Sequence, residues 1–125
     1  MLRIVQVVPN LRKGGTERLV LDICNELKKR DNVKVKLLIL HPENDYFFLS
    51  KDNDIESCNS SVIPSISGRN KVELSDYLRI VSEFRPQVIH SHLFEAEMVS
   101  RWDVLPGVRY FTHCHDNMKQ FKRFT

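Results

Sequence analysis

Five histidines stand in this chain of 125 residues, and four of them fall in two short clusters. His90 and His92 belong to "VIHSHLF". His113 and His115 flank Cys114 in "RYFTHCHDN", with Asp116 directly after. In an extended strand, residues two apart share one face, so each pair presents two imidazoles together. Imidazole and carboxylate are the donors of zinc and non-haem iron sites. The same groups serve as general acids, bases or hydrogen-bond donors near neutral pH, and for that a single histidine suffices. A metal demands several side chains converging on one point, and an H-x-H pair on a strand is a loose signature of it. The reading adopted is a hydrogen-bonding or acid–base role with no metal. Cys114 faces away from its flanking histidines and reads as a core thiol.

A third cluster is "NLRKGGT", with Gly14, Gly15 and Thr16 at its end. Paired glycines let backbone N–H groups approach a ligand closely, and the start of a helix favours an anion such as phosphate. The plain alternative is a flexible turn. The pattern is neither G-x-G-x-x-G nor a P-loop with its lysine, which speaks against a nicotinamide or P-loop nucleotide site.

The elements around these clusters alternate. "LRIVQVVP" is apolar on both faces, as a strand covered from both sides must be. "TERLVLDICNELKKR" places Leu19, Val20, Ile23, Cys24 and Leu27 at helical spacing, with Thr16 as cap, Glu17 at its positive end and Lys28, Lys29 and Arg30 at its negative end. "VKVKLLIL" is a second strand. The polar stretch 41–69 holds a short helix around "DYFFLSK" and a short third strand near "SSVIPS". "KVELSDYLRIVSEF" is helical, with Leu74, Tyr77, Leu78, Val81 and Phe84 on one stripe, and Pro86 stops it. "PQVIHSH" is a fourth strand, "EAEMVSRW" a short helix and "VRYFTHC" a fifth strand.

Strands separated by helices require crossover connections and a parallel sheet. The expectation is an α/β, Rossmann-like doubly wound parallel sheet of order 3-2-1-4-5, forming one domain over 1–125. Ligands of such sheets bind beyond the carboxyl ends of the strands, where the strand order reverses. All three clusters fall at carboxyl ends, and their convergence there is the strongest functional signal in the chain.

Composition narrows the function classes. A hydrophobic share of 42% and a charged share of 28% describe an ordinary globular chain. A net charge of +3 without a long Lys/Arg block gives no footprint for nucleic acid. Three cysteines without C-x-x-C spacing read as reduced thiols and point to the cytoplasm. The apolar run at the N-terminus is too short for a signal peptide or a spanning helix.

Taken in order, "KGGTERLVLDICNELKKR" with "VKVKLLIL", then "PQVIHSHLFEAEMVSRW", then "VRYFTHCHDN" resemble family 4 glycosyltransferases of the GT-B fold over nearly the whole chain. The resemblance implies half of a GT-B architecture, its N-terminal, acceptor-side domain. It implies transfer of a sugar from a nucleotide-sugar donor to a glycan or lipid-linked acceptor, with retained anomeric configuration and no cofactor or metal. It places Gly14, Gly15 and Thr16 towards the donor diphosphate across the cleft. It sets His115, or His113 if the alignment slips by two, beside the transferred sugar, with His92 and Asp116 in the same substrate-binding group.

Two departures stand out. Gln87 follows Pro86 where the family has Asp, and the E-x7-E motif of the donor domain is absent. The chain therefore reads as an incomplete domain, inactive without a donor-binding half or a partner supplying it. In "NMKQFKRFT", Met118, Phe121 and Phe124 alternate with Lys119, Lys122 and Arg123, which leaves room for peripheral membrane contact beside the plain reading of a cut-off helix. The rival readings are a non-catalytic Rossmann-like module binding a phosphorylated ligand or a partner subunit, and a metal-dependent hydrolase built on the four clustered histidines.

Overall fold

The computed structural model describes residues 1–63 and 71–113. Strand β1 (Leu2–Val8) is followed by helix α1 (Gly15–Leu27), β2 (Val33–Ile39), a single helical turn α2 (Phe47–Ser50), and short strands β3 (Ile55–Ser57), β4 (Ser61–Ile63) and β5 (Lys71–Glu73). Helix α3 (Ser75–Phe84), β6 (Val88–His92), α4 (Phe94–Trp102) and β7 (Arg109–His113) complete the described order. Five strands form one sheet of order β3-β2-β1-β6-β7, every neighbouring pair parallel. This is the expected Rossmann-like α/β architecture, with the strand order reversing between β1 and β6.

Strand β1 is central and must be apolar on both faces, and it is. Val5 and Val7 join Leu38, Leu40 and Ile89 in a core closed by Tyr77, Ile80, Val81 and Phe84 of α3 and by Ala96 and Val99 of α4. On the opposite face Val8, Leu37 and Ile39 pack against Val20, Leu21 and Cys24 of α1. Helix α3 carries the anticipated stripe and ends at Arg85, whose φ of 56° is left-handed, immediately before Pro86. Pro86 cannot continue a helix, so Arg85 takes the turning conformation that glycine usually supplies. Gln87 is a working substitution for aspartate: its side-chain oxygen accepts the Arg3 N–H at 2.9 Å and its own N–H donates to the Arg3 carbonyl at 2.8 Å.

Four local expectations change. The third strand of the sheet is Ile55–Ser57, not "SSVIPS"; Ser61–Ile63 instead pairs antiparallel with Lys71–Glu73 in a separate two-stranded ribbon. The latter strand also takes the first residues of the stretch read as helical, so α3 begins only at Ser75. Thr16 is not a cap. Helix α1 starts at Gly15 with Gly14 at the cap position and no side-chain cap bond, leaving Thr16 inside the first turn. The buried stripe of α1 centres on Val20, Leu21 and Cys24, and Leu19 is exposed.

Ile23 and Leu27 instead overlook a groove of about 360 Å³ shared with Ile4, Val88, His90 and Phe111. Helix α1 thus covers only part of its face of the sheet. No helix among the described residues is long and apolar enough to cross a membrane. Cys114 and the Met118–Phe124 segment lie outside the described residues.

Candidate active site at the carboxyl edge of the sheet

Because all five strands run parallel, their carboxyl ends share one edge, and the loops that leave them build whatever site the fold offers. After β1 the chain enters the Gly14–Gly15 loop, and the segment after β2 holds it in place. The Leu11 N–H donates to the Glu43 carbonyl at 2.9 Å, and the Asp45 N–H donates back to the Leu11 carbonyl at 2.8 Å. Asp45 Oδ2 accepts the Lys13 N–H at 2.9 Å, and the Tyr46 hydroxyl is 3.0 Å from both the Gly14 nitrogen and its carbonyl oxygen. Arg12 and Glu43 add an exposed ion pair at 3.2 Å. The loop is therefore fixed by its own neighbours before any ligand arrives, as a preorganised wall requires.

The fold itself asks for neither glycine. Gly14 has φ −179°, extended backbone open to any residue, and a Cβ there would press only on the flexible end of Glu17. A Cβ on Gly15 would meet nothing. Both glycines are exposed at the start of α1, where the helix presents its positive end.

At the other side of the switch point, His90, His92 and His113 share the α1 face of the sheet. The register sets His90 beside Gln6 and Phe111, and His92 beside His113. Their ring centroids are 4.1 Å apart for His90–His92, 6.0 Å for His90–His113 and 5.8 Å for His92–His113. His92 is fully buried and its Nε2 is 2.7 Å from Gln6 Oε1. An amide oxygen only accepts, so Nε2 donates this bond. His90 is half-buried and His113 exposed. Burial keeps His92 from touching a substrate directly and makes it the post against which the other two rings stand.

The junction after His92 is strained. Leu93 has φ 73° and ψ 160°, a region that side chains avoid, and its N–H points at the His113 carbonyl 3.5 Å away. Such conformations cost on the order of 1–3 kcal/mol and collect where a site needs a particular backbone path. Further along the edge His41 Nε2 lies 2.8 Å from Glu95 Oε1, joining the end of β2 to the first turn of α4 across the reversal.

The structure therefore brings together His90, His92 and His113, and it sets Gly14 and Gly15 on the same edge in a loop bound to Asp45 and Tyr46. His115 and Asp116 lie outside the described residues. Sequence reasoning missed Gln6, Tyr46 and the His41–Glu95 pair. Gln6 left a trace: it is the lone polar residue within the valine- and isoleucine-rich core of β1, and a buried amide there must have a partner.

Against this geometry, the family model for Glycosyltransferase Family 4 matches residues 13–125. The match runs from the Gly14–Gly15 loop through both histidine clusters, and the chain belongs to that family. Comparisons with curated proteins and with solved structures yield no match.

Proposed function

We propose that this chain is the acceptor-side domain of a retaining glycosyltransferase, which moves a sugar from a nucleotide-sugar donor to a glycan or lipid-linked acceptor. The family match over residues 13–125 carries the reading, because the matched stretch contains Gly14, Gly15 and both histidine clusters. Departure of a nucleoside diphosphate leaves negative charge on phosphate oxygens and positive charge building at the sugar carbon. The start of α1, with Gly14, Gly15 and Thr16, offers small residues and a positive helix end to the diphosphate. His115 stands beside the transferred sugar and hydrogen-bonds it, with Asp116 adjoining. His113 ends β7, and His92 holds that end from within.

In this reading the transfer uses no metal and no cofactor. A second Rossmann-like domain, in the same chain or a partner, brings the nucleotide sugar, and this domain alone does not turn over. The protein acts on the cytoplasmic side, with peripheral membrane contact where the acceptor is lipid-linked. The test is a panel of UDP- and GDP-sugars offered to the enzyme containing this domain and its donor half, reading nucleoside diphosphate release and the anomeric configuration of the product. Acceptor-dependent release with retained configuration is expected. Release without an acceptor requirement, or an inverted product, would contradict the reading.

A further inference from the structure

The histidine cluster has a geometry that sugar transfer leaves unused. One ring nitrogen from each of His90, His92 and His113 lies within 4.8 Å of the other two. A tetrahedral centre with metal–nitrogen bonds of about 2.0–2.1 Å holds its ligand nitrogens roughly 3.3 Å apart. Rotation of the rings, whose centroids are 4.1 to 6.0 Å apart, would bring the nitrogens to that spacing. All three side chains spring from adjacent, registered strands, so their separation is set by the sheet and not by a loop. The buried member is held from behind, its Nε2 2.7 Å from Gln6 Oε1, as the outer partner of a ligating histidine would hold it. His113, at the exposed end, gives an ion a way in.

We propose that His90, His92 and His113 bind one divalent transition-metal ion of the zinc class, with Gln6 orienting His92 from behind. Three neutral imidazoles suit zinc, nickel, copper or iron and exclude calcium and magnesium, which prefer oxygen. The ion pins the carboxyl ends of β6 and β7 to each other. It takes no part in the transfer step, so the site stands independently of the glycosyltransferase reading.

The experiment is a cobalt(II) titration of the chelator-stripped chain, followed by competition with zinc. One equivalent of cobalt should give the strong visible absorption of a tetrahedral centre, and zinc should abolish it. His90→Ala and His113→Ala should each weaken cobalt binding at least tenfold, on the order of 1.4 kcal/mol. His113→Cys, which keeps a zinc-class ligand, should retain it, and His41→Ala, at the separate Glu95 pair, should change nothing. Circular dichroism of each variant checks that the sheet is intact. Octahedral-type weak absorption, or affinity unmoved by both alanine variants in folded protein, would overturn the site.

Discussion

At the residue scale, burial decides which polar groups can act. Cys24 and Cys58 are buried, and burial pushes the thiols up to about 12 and about 11, only partly offset by Lys28 at Cys24 and by the hydrogen bond from Ser60 at Cys58. Both remain neutral at any physiological pH, so neither is a nucleophile. The linkage has a definite sign. Folded values lie above the ordinary thiol value of about 8.5, so stability is complete below that pH and declines as the unfolded chain ionises while the folded one does not. The decline continues until pH reaches the folded values. Urea midpoints should therefore fall between pH 8.5 and about 11. The fall should be shallower in Cys24→Ala than in the parent; an identical slope would show that the thiol ionises alike in the folded and unfolded states. The same logic of burial made His92 unreadable from sequence. Its position in an H-x-H pair announced a polar site, while its role as an interior post depends on Gln6, which arrives from a strand 86 positions away.

At the scale of elements, the chain's punctuation was more legible than its short strands. Pro86 ended α3 as its ring chemistry demands, and the stripe from Leu74 to Phe84 found the core it implied. Arg85 absorbs the cost of that ending. Left-handed backbone costs a side-chain-bearing residue roughly 1–2 kcal/mol, and glycine escapes it at some loss of unfolded-state entropy. Arg85 is exposed, and its backbone N–H bond to the Val81 carbonyl at 2.9 Å does not depend on its side chain. Arg85→Gly should therefore raise stability by about 0.5–1 kcal/mol. Thermal melts with an unchanged or lowered midpoint would place the turn's cost elsewhere.

The third strand was misplaced because three-residue strands carry too little periodicity to distinguish Ile55–Ser57 from Ser61–Ile63. Only pairing separates them. The first lies against Leu37–Ile39 of the sheet, and the second finds Lys71–Glu73. Thr16 failed as a cap for a related reason: a capping residue must precede the first turn, and the helix begins one residue before it.

At the scale of the whole molecule, topology brought the Gly14–Gly15 loop, His90, His92 and His113 to one edge. Strand order β3-β2-β1-β6-β7 follows from alternation of strand and helix, and it carries the Gly14–Gly15 loop and the histidine strands to the same side of the sheet. Alternation alone could not show how the loop is braced. The Tyr46 and Asp45 contacts come from a polar stretch whose pattern resembles any connection. Nor could it show that α1 leaves part of its sheet face as a groove beside Phe111, which is 54% exposed.

In the proposed transfer the carboxyl edge contacts donor sugar and diphosphate. Gly15→Ala and His115→Ala, each in the enzyme joined to its donor half, test it most directly by the rate of nucleoside diphosphate release. The fold leaves room for a methyl at Gly15, so Gly15→Ala should keep the parent's melting temperature and still slow transfer. His115→Ala should lower the rate by about 10²–10³, the range for losing one hydrogen-bond donor at a charge-developing centre. Parent-like rates in both folded variants would contradict the claim and move the sugar site off this edge.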